Sequence, residues 1–341
     1  MHLLESKIRM GICGAGNIVH THCNTLARFN NMEIMAVSSR SKEQAHAVAS
    51  QYHIKDAFND HRYVTEHPDV DIVLVTCPNY QHFELSMQAI EAGKHVIVEK
   101  PLAMNIEQAL MMIEAAEKAG VMLLYAENLP FAPKFMKLTE MAEQGAFGEI
   151  YMLRQIERHA GPHSPWFFQK ECAGGGVLMD LGCHSISVLL ETMKGHQVID
   201  VGAVARTFRH KHGDVEDFII MQMVFDNGAI GVVESNWCHL GGMDSITEIF
   251  GSEGQGYADL MKGSGLETYI EKEWLLRGRD ASGWRKPVYD ALYEFGYVGQ
   301  MQAMSDCLLK GAAPRQSGRD GLRVLEIMTK AYKAAESQKG I

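Results

Sequence analysis

The chain has 341 residues, long for one hydrophobic core, so two domains are the natural expectation. At 46% hydrophobic and 22% charged residues it has the composition of a globular protein with apolar material for two cores. A net charge of −10 repels phosphate backbones and argues against a nucleic-acid partner.

The opening segment, "MHLLESKIRMGIC", carries Glu5, Lys7 and Arg9 and shows no signal-peptide cleavage pattern. Its end, "KIRMGIC", reads as a strand, followed by a glycine turn and a helix through about Arg28. "MEIMAVSS" is a second strand and "SKEQAHAVASQY" a second helix. "VDIVLVTC" and "KHVIVEK" are further strands, followed by helices over "HFELSMQAIEAG" and "NIEQALMMIEAAEKAG"; "VMLLYAE" is a fifth strand. Strands alternating with helices imply parallel pairing and right-handed crossovers, hence a doubly wound sheet. After about residue 128 the rhythm changes. A helix over roughly 131–144 leads to a long strand, "GEIYMLRQIERH". The apolar segment "GGGVLMDLGCHSISVLLE" follows as a helix. Then "VIDVGAVARTF", "DFIIMQMVF", "GAIGVVES" and "DSITEIFGS" are separated by turn signals, which predicts an antiparallel sheet. The tail, roughly 290–336, returns to helix. No apolar run is expected to reach bilayer-spanning length. Seven cysteines without a C-x-x-C pair suggest free thiols in a reducing cytoplasm, and the 21 methionines read as adaptable core filler.

The first chemical signal is the turn "GICGAGNIV". Gly14 permits a tight turn, and Gly16 lets the backbone approach a pyrophosphate seated on the helix that Asn17 and Ile18 open. Val19 occupies the third position of this dinucleotide fingerprint. The end of the second strand reads Ser38-Ser39-Arg40-Ser41-Lys42, with no carboxylate for a ribose 2′-hydroxyl. Two cations among hydroxyls suit a 2′-phosphate, so NADP is favoured over NAD, through Ser39, Arg40 and Lys42.

Lys100 stands at the end of a strand, where open α/β sheets place ligands. In the glycine-led helix, Asp180, His184, Ser187 and Glu191 are spaced i, i+4, i+7 and i+11, one stripe of an otherwise apolar helix. A buried helix with a carboxylate and an imidazole on one face is either a satisfied core pair or a proton relay. Between strand and helix, "ERHAGPHSPWFF" offers Arg158, His159, His163 and Trp166, which suit a sugar or cyclitol, or are loop surface around a core tryptophan. His20, His22 and Cys23 cluster inside the first helix, and no metal site is expected there.

Gly14-Ala15-Gly16, "TCPNYQH", "EKP" and "GGGVLMDLGCH", in that order, resemble the glucose–fructose oxidoreductase/inositol dehydrogenase (Gfo/Idh/MocA) family, as does the late "SGRDGLRVLEI". The resemblance covers nearly the whole chain. It implies an N-terminal Rossmann domain (1–127) with a doubly wound parallel sheet. An α+β substrate domain (128–341) follows, with an open, mainly antiparallel sheet and a C-terminal helix packing back toward the first domain. It also implies a nicotinamide lying between the two domains. Lys100 matches the family's EKP lysine, with Glu99 before it. Asp180 and His184 match its helix motif, and Asn79 and His82 its strand-three loop beside the cofactor. Two departures stand out: Ser185 follows the helix histidine where an Asp is frequent, and Ser39 replaces the acid of NAD-using members. The implied chemistry is hydride transfer between a nicotinamide and a secondary alcohol or ketone of a sugar, cyclitol or sugar derivative. In it, His184 is the general base, Lys100 stabilises the substrate oxygen, and Asp180 orients the imidazole or holds Lys100 protonated; the lysine and histidine roles are exchangeable at this level. A redox-assisted glycosidase with a tightly bound nicotinamide cofactor, or a non-catalytic nucleotide sensor, are the alternatives. The expected partners are a small polar substrate and further copies of the chain, joined through the C-terminal sheet in a cytoplasmic homo-oligomer, with no membrane.

Overall fold

A computed structural model describes residues 4, 7–262, 266–276, 279–280, 282–285 and 294–337. The chain forms two compact units, Met1–Glu127 with Gln300–Leu325, and Asn128–Gly299 with Glu326–Ile341. The division implied by the resemblance places residues 300–325 in the second domain, with a C-terminal helix packing back toward the first; here residues 300–325 group with the first unit.

The first unit is built on six parallel strands: β1 (Ile8–Cys13), β2 (Met32–Ser38), β3 (Asp56–Phe58), β4 (Ile72–Val75), β5 (His95–Glu99) and β6 (Leu123–Ala126). Their order is β3-β2-β1-β4-β5-β6, the doubly wound arrangement whose switch point lies between β1 and β4. The helices α1 (Asn17–Leu26), α2 (Lys42–Tyr52), α3 (Arg62–Thr65), α4 (His82–Glu91) and α5 (Ile106–Ala119) connect the strands. Ile8, Met10 and Ile12 alternate toward one face of β1 and pack with Val19, Cys23 and Leu26 of α1. Met301, Met304, Cys307 and Leu308 of the late helix α9 (Tyr297–Lys310) complete that core. Asn105 caps α5 by accepting the Gln108 N–H at 2.9 Å, and Gly120 ends it in the left-handed region.

The second unit begins with α6 (Pro133–Glu143) and β7 (Ile150–His159), and continues through the short α7 (Lys170–Ala173) to α8 (Cys183–Thr192). The strands β8 (Val198–Arg206), β9 (Phe218–Phe225), β10 (Ile230–Asn236), β11 (Met243–Gly251), β12 (Gly254–Asp259) and β13 (Leu266–Ile270) follow. After them come the two-residue β14 (Leu275–Leu276) and β15 (Arg279–Asp280), and β16 (Gly283–Arg285). Eight strands form one sheet in the order β16-β13-β12-β11-β7-β10-β9-β8. Every pair in it is antiparallel except β7 with β10, which run parallel because the chain crosses over through the glycine-led helix between them. α8 packs on β7 and β10, and Leu153, Met221, Met223, Val233 and Ile249 point into the apolar interior. The last helix, α10, spans Gly318–Ser337; the expected helix start near residue 290 lies outside the described residues.

One expectation is corrected by the helical stretch Lys170–Thr192. Its 23 residues are long and apolar enough to cross a bilayer by length and composition, but 89% of its apolar window is buried within the protein, as in a core helix. None of the seven cysteines, all of them among the described residues, is in a disulfide.

Candidate active site

At the C-terminal edge of the parallel sheet, Gly14 has φ +123°, and a Cβ there would stand 2.6–2.7 Å from the Thr76 hydroxyl and carbonyl. Thr76 closes the same junction by donating to the Cys13 and Gly14 carbonyls at 3.2 Å. Gly16 differs. It is the exposed N-cap of α1, with nothing within 4 Å of where its Cβ would lie. That open space over a helix N-terminus is what a pyrophosphate requires, so the turn fits a dinucleotide. Asn17 is exposed and Ile18 half-buried beside it, while Val19 points into the core.

At the end of β2 the hydroxyls and the cations separate. Ser39 donates to Gln44 Oε1 and accepts the Ser41 N–H, both at 3.3 Å; Ser41 caps α2 through the Gln44 N–H at 3.2 Å. Arg40 and Lys42 are exposed. Sequence reasoning missed His61, whose Nδ1 lies 2.9 Å from Ser38 Oγ and whose Nε2 lies 3.8 Å from Cys77 Sγ. Burial first, and the Arg40 charge as well, lower its pKa against the opposing pull of Asp60. No local motif marks it; only its position just after β3, at the ligand edge, could have raised it.

Beyond β4, Asn79 is buried in a 3₁₀ turn, and His82 opens α4. The two His82 ring nitrogens lie 2.8 Å from the Pro101 carbonyl and 2.9 Å from the Cys77 carbonyl. Its placement therefore ties the β4 loop to the β5 loop. Lys100, half-buried, follows Glu99 at the end of β5. The Glu99 carboxylate meets His22 at 2.6 Å and accepts the Lys100 main-chain N–H at 3.1 Å. The first-helix cluster disperses: His22 pairs with Glu99, His20 Nδ1 lies 3.0 Å from the Tyr52 hydroxyl, and Cys23 is in the core.

In the second unit, two of the glycines before α8 meet close neighbours of the same unit. A Cβ on Gly176 would fall 1.9 Å from the Glu216 carbonyl oxygen, and one on Gly175 would fall 2.1 Å from the Tyr332 hydroxyl. Glu216 accepts the N–H groups of Gly176 at 3.1 Å and Leu178 at 3.0 Å and the Tyr332 O–H at 2.9 Å, so a carboxylate caps the start of this helix. Burial raises the Glu216 pKa despite these donors.

The single α-helical stripe is also modified. Leu178–Gly182 is a π-turn, and α8 proper starts at Cys183. With i→i+5 bonding, residues four apart no longer stand directly above one another, so Asp180 is turned out of line with His184, Ser187 and Glu191. Asp180 is buried, and its Oδ2 accepts the indole N–H of the fully buried Trp237 at 3.0 Å. His159 Nε2 lies 3.9 Å from the same oxygen, and its ring stacks on His163 at 5.4 Å. The structure thus gathers Asp180, His159 and His163, and adds Trp237, which sequence reasoning missed. His184 is half-buried on the first turn of α8. Trp166 is half-buried with one face stacked on Phe167 at 3.8 Å. Arg158 faces the other way, bonded to Asp244 at 2.8 Å and Glu234 at 3.2 Å across the sheet.

A parallel sheet with this glycine turn at its switch point defines a dinucleotide-binding oxidoreductase of the Rossmann class. The family model described as "Oxidoreductase family, NAD-binding Rossmann fold" matches residues 8–127, and the "GFO/IDH/MocA C-terminal domain" matches residues 135–256. The chain belongs to the Gfo/Idh/MocA family of oxidoreductases, whose members fit hydride transfer on the hydroxyl groups of sugars and cyclitols. It is 28% identical over 340 residues to the myo-inositol 2-dehydrogenase of Thermotoga maritima, covering 98% of each chain. It is 31% identical over 251 residues to the D-glucoside 3-dehydrogenase of Escherichia coli, covering 69% of this chain and 72% of that one. Among solved structures it resembles GenD2 from gentamicin A biosynthesis in complex with NAD, at 29% identity and a TM-score of 0.87, covering 100% of this chain and 97% of that one.

Proposed function

We propose that the protein transfers hydride between NADP, or NAD, and a secondary alcohol of a sugar, cyclitol or sugar derivative. The observation that carries the reading is the convergence at one edge of the first unit's sheet: Gly16 leaves an open cradle over α1, and Lys100 directly follows β5 at the same edge. The turn over Gly14–Ile18 holds the pyrophosphate. Arg40 and Lys42 stand exposed where a 2′-phosphate needs cations, with no carboxylate to prefer a free 2′-hydroxyl. When bound, the nicotinamide supplies the hydride acceptor. Lys100 hydrogen-bonds the carbinol oxygen and stabilises the negative charge that develops there. His184 takes the hydroxyl proton, and Asp180, anchored by Trp237, orients the polar groups around it. His159, His163 and Trp166 bind the ring of the substrate.

This reading includes a homo-oligomer formed through the eight-stranded sheet. Val204, Ile220 and Ile230 share one face of β8, β9 and β10, and all three are exposed. Sedimentation at micromolar concentration should show a dimer or larger; a monomer contradicts this part.

The functional test is a panel of sugars, cyclitols and glycosides with NAD and NADP, read by nucleotide absorbance and by product analysis. Reduction of the nucleotide with a polyol or sugar is expected. Cleavage of a glycoside with no net nucleotide change would overturn the reading in favour of redox-assisted hydrolysis.

A further inference from the structure

The Glu99–Lys100–Pro101 turn is held by a buried pair that the reaction as described does not use. His22, on the inner side of α1, is fully buried, and its Nε2 lies 2.6 Å from Glu99 Oε1. The other carboxylate oxygen of Glu99 accepts the main-chain N–H of Lys100 at 3.1 Å. Each oxygen thus has one partner, one on the nucleotide helix and one on the residue that carries the amine.

Burying a carboxylate beside an imidazole is a poor way to gain stability, because desolvation offsets most of the attraction and an apolar pair of the same volume does as well. A fixed direction is what such a pair provides and an apolar pair does not. Burial pushes the Glu99 carboxyl up, but the His22 donor and the Lys100 charge outweigh it, and its pKa lies below the ordinary value. Glu99 is therefore a carboxylate next to an ammonium, held in place by an N–H donor. His22 also stands six residues beyond Gly16 on one helix, about 9 Å along the axis at 1.5 Å per residue. The helix whose N-terminus faces the pyrophosphate is the one that grips the lysine turn.

We propose that His22, acting through Glu99, is a positioning residue for Lys100, so that the nucleotide-binding helix and the lysine amine are set by one continuous buried contact. The proposal rests on the reading of Lys100 as the group that acts on the substrate oxygen. His22→Leu removes the donor while filling the space. His22→Gln restores a donor at the reach of Nε2, and His22→Asn is polar but too short to reach Glu99.

The test measures kcat, KM, nucleotide Kd and the acetylation rate of Lys100 in nucleotide-free protein, the last by mass spectrometry after treatment with acetic anhydride. His22→Leu and His22→Asn should each lower kcat between about tenfold and a hundredfold, as expected when a reacting group is misplaced by a fraction of a bond length, with KM and nucleotide Kd within about threefold of wild type. Lys100 acetylation should rise severalfold in both, because the neighbouring carboxylate is no longer held ionised. His22→Gln should return kcat and acetylation to near wild type. The proposal is overturned if kcat stays at wild-type levels in all three, or if Lys100 acetylation is unchanged while activity falls only in step with melting temperature. Normal turnover in Lys100→Met would instead remove the lysine from the reaction and with it the proposed function, whereas the acetylation pattern would still report whether His22 positions the amine.

Discussion

Gly14 and Gly16 stand two residues apart in one turn and are required for different reasons. Gly14 is needed by the fold: its φ of +123° and the 2.6 Å approach to Thr76 leave no room for a methyl group. Gly14→Ala should lose at least about 1–3 kcal/mol of stability from backbone strain, read as a lower midpoint in urea. Gly16→Ala meets nothing within 4 Å, so its stability should stay within about 0.5 kcal/mol of wild type while nucleotide affinity falls about tenfold or more. Equal melting curves for the two variants would contradict this division. The cofactor preference belongs to the same scale. Arg40→Ala should shift the ratio of NADP to NAD dissociation constants toward NAD, and an unchanged ratio would remove Arg40 from the 2′-phosphate site. The places of Gly14 and Gly16 in the turn after β1 and of Lys100 just after β5 were legible in the sequence, the glycines from their spacing and Lys100 from the strand before it. His61 and Trp237 were not. Each reaches its partner across the fold, His61 at Ser38 and Trp237 at Asp180, and no local pattern encodes such a meeting.

At the scale of elements, the long strands were legible from alternation and β-branched runs, and β3 was missed because three residues carry no period. The parallel pairing of β7 with β10 was also hidden, since strand composition does not record direction. The polar stripe of the glycine-led helix was read in α-helical register, and the π-turn at Leu178–Gly182 changes that register. The close approach of Gly175 to Tyr332 and of Gly176 to Glu216 joins residues far apart in the chain, which no local pattern encodes. That cap should be visible in stability against pH. Burial raises the folded pKa of Glu216 above its ordinary 4.5. Its contribution is therefore fully present below pH 4.5 and is lost as the pH rises through the folded value, when a charge must be held in the interior. Glu216→Gln cannot ionise. The melting temperature of wild type minus that of the variant should thus decrease on going upward from pH 4.5. A difference that grows over this range would show that the donors from Gly176, Leu178 and Tyr332 outweigh burial.

Across the whole molecule, the change of rhythm near residue 128 marks where strand–helix alternation ends and consecutive strands begin. The grouping of residues 300–325 with the first unit had no signal in local spacing; only the family resemblance implied a C-terminal helix packing back toward the first domain. Met301, Met304, Cys307 and Leu308 announce a helix with one buried face, but helical spacing does not say which sheet that face will cover. His184→Ala should lower turnover by about 10²–10⁴, the usual contribution of a general base, while nucleotide binding is retained. The most direct test of the account is the rate of hydride transfer in a single turnover for Lys100→Met, with nucleotide affinity measured on the same protein. The expected dissociation constant is within about threefold of wild type, since the proposed pyrophosphate contact is made by the Gly14–Gly16 turn, and the expected rate is lower by about 10²–10³, the range for loss of a group that stabilises a developing oxyanion. A wild-type rate of hydride transfer in Lys100→Met would contradict it.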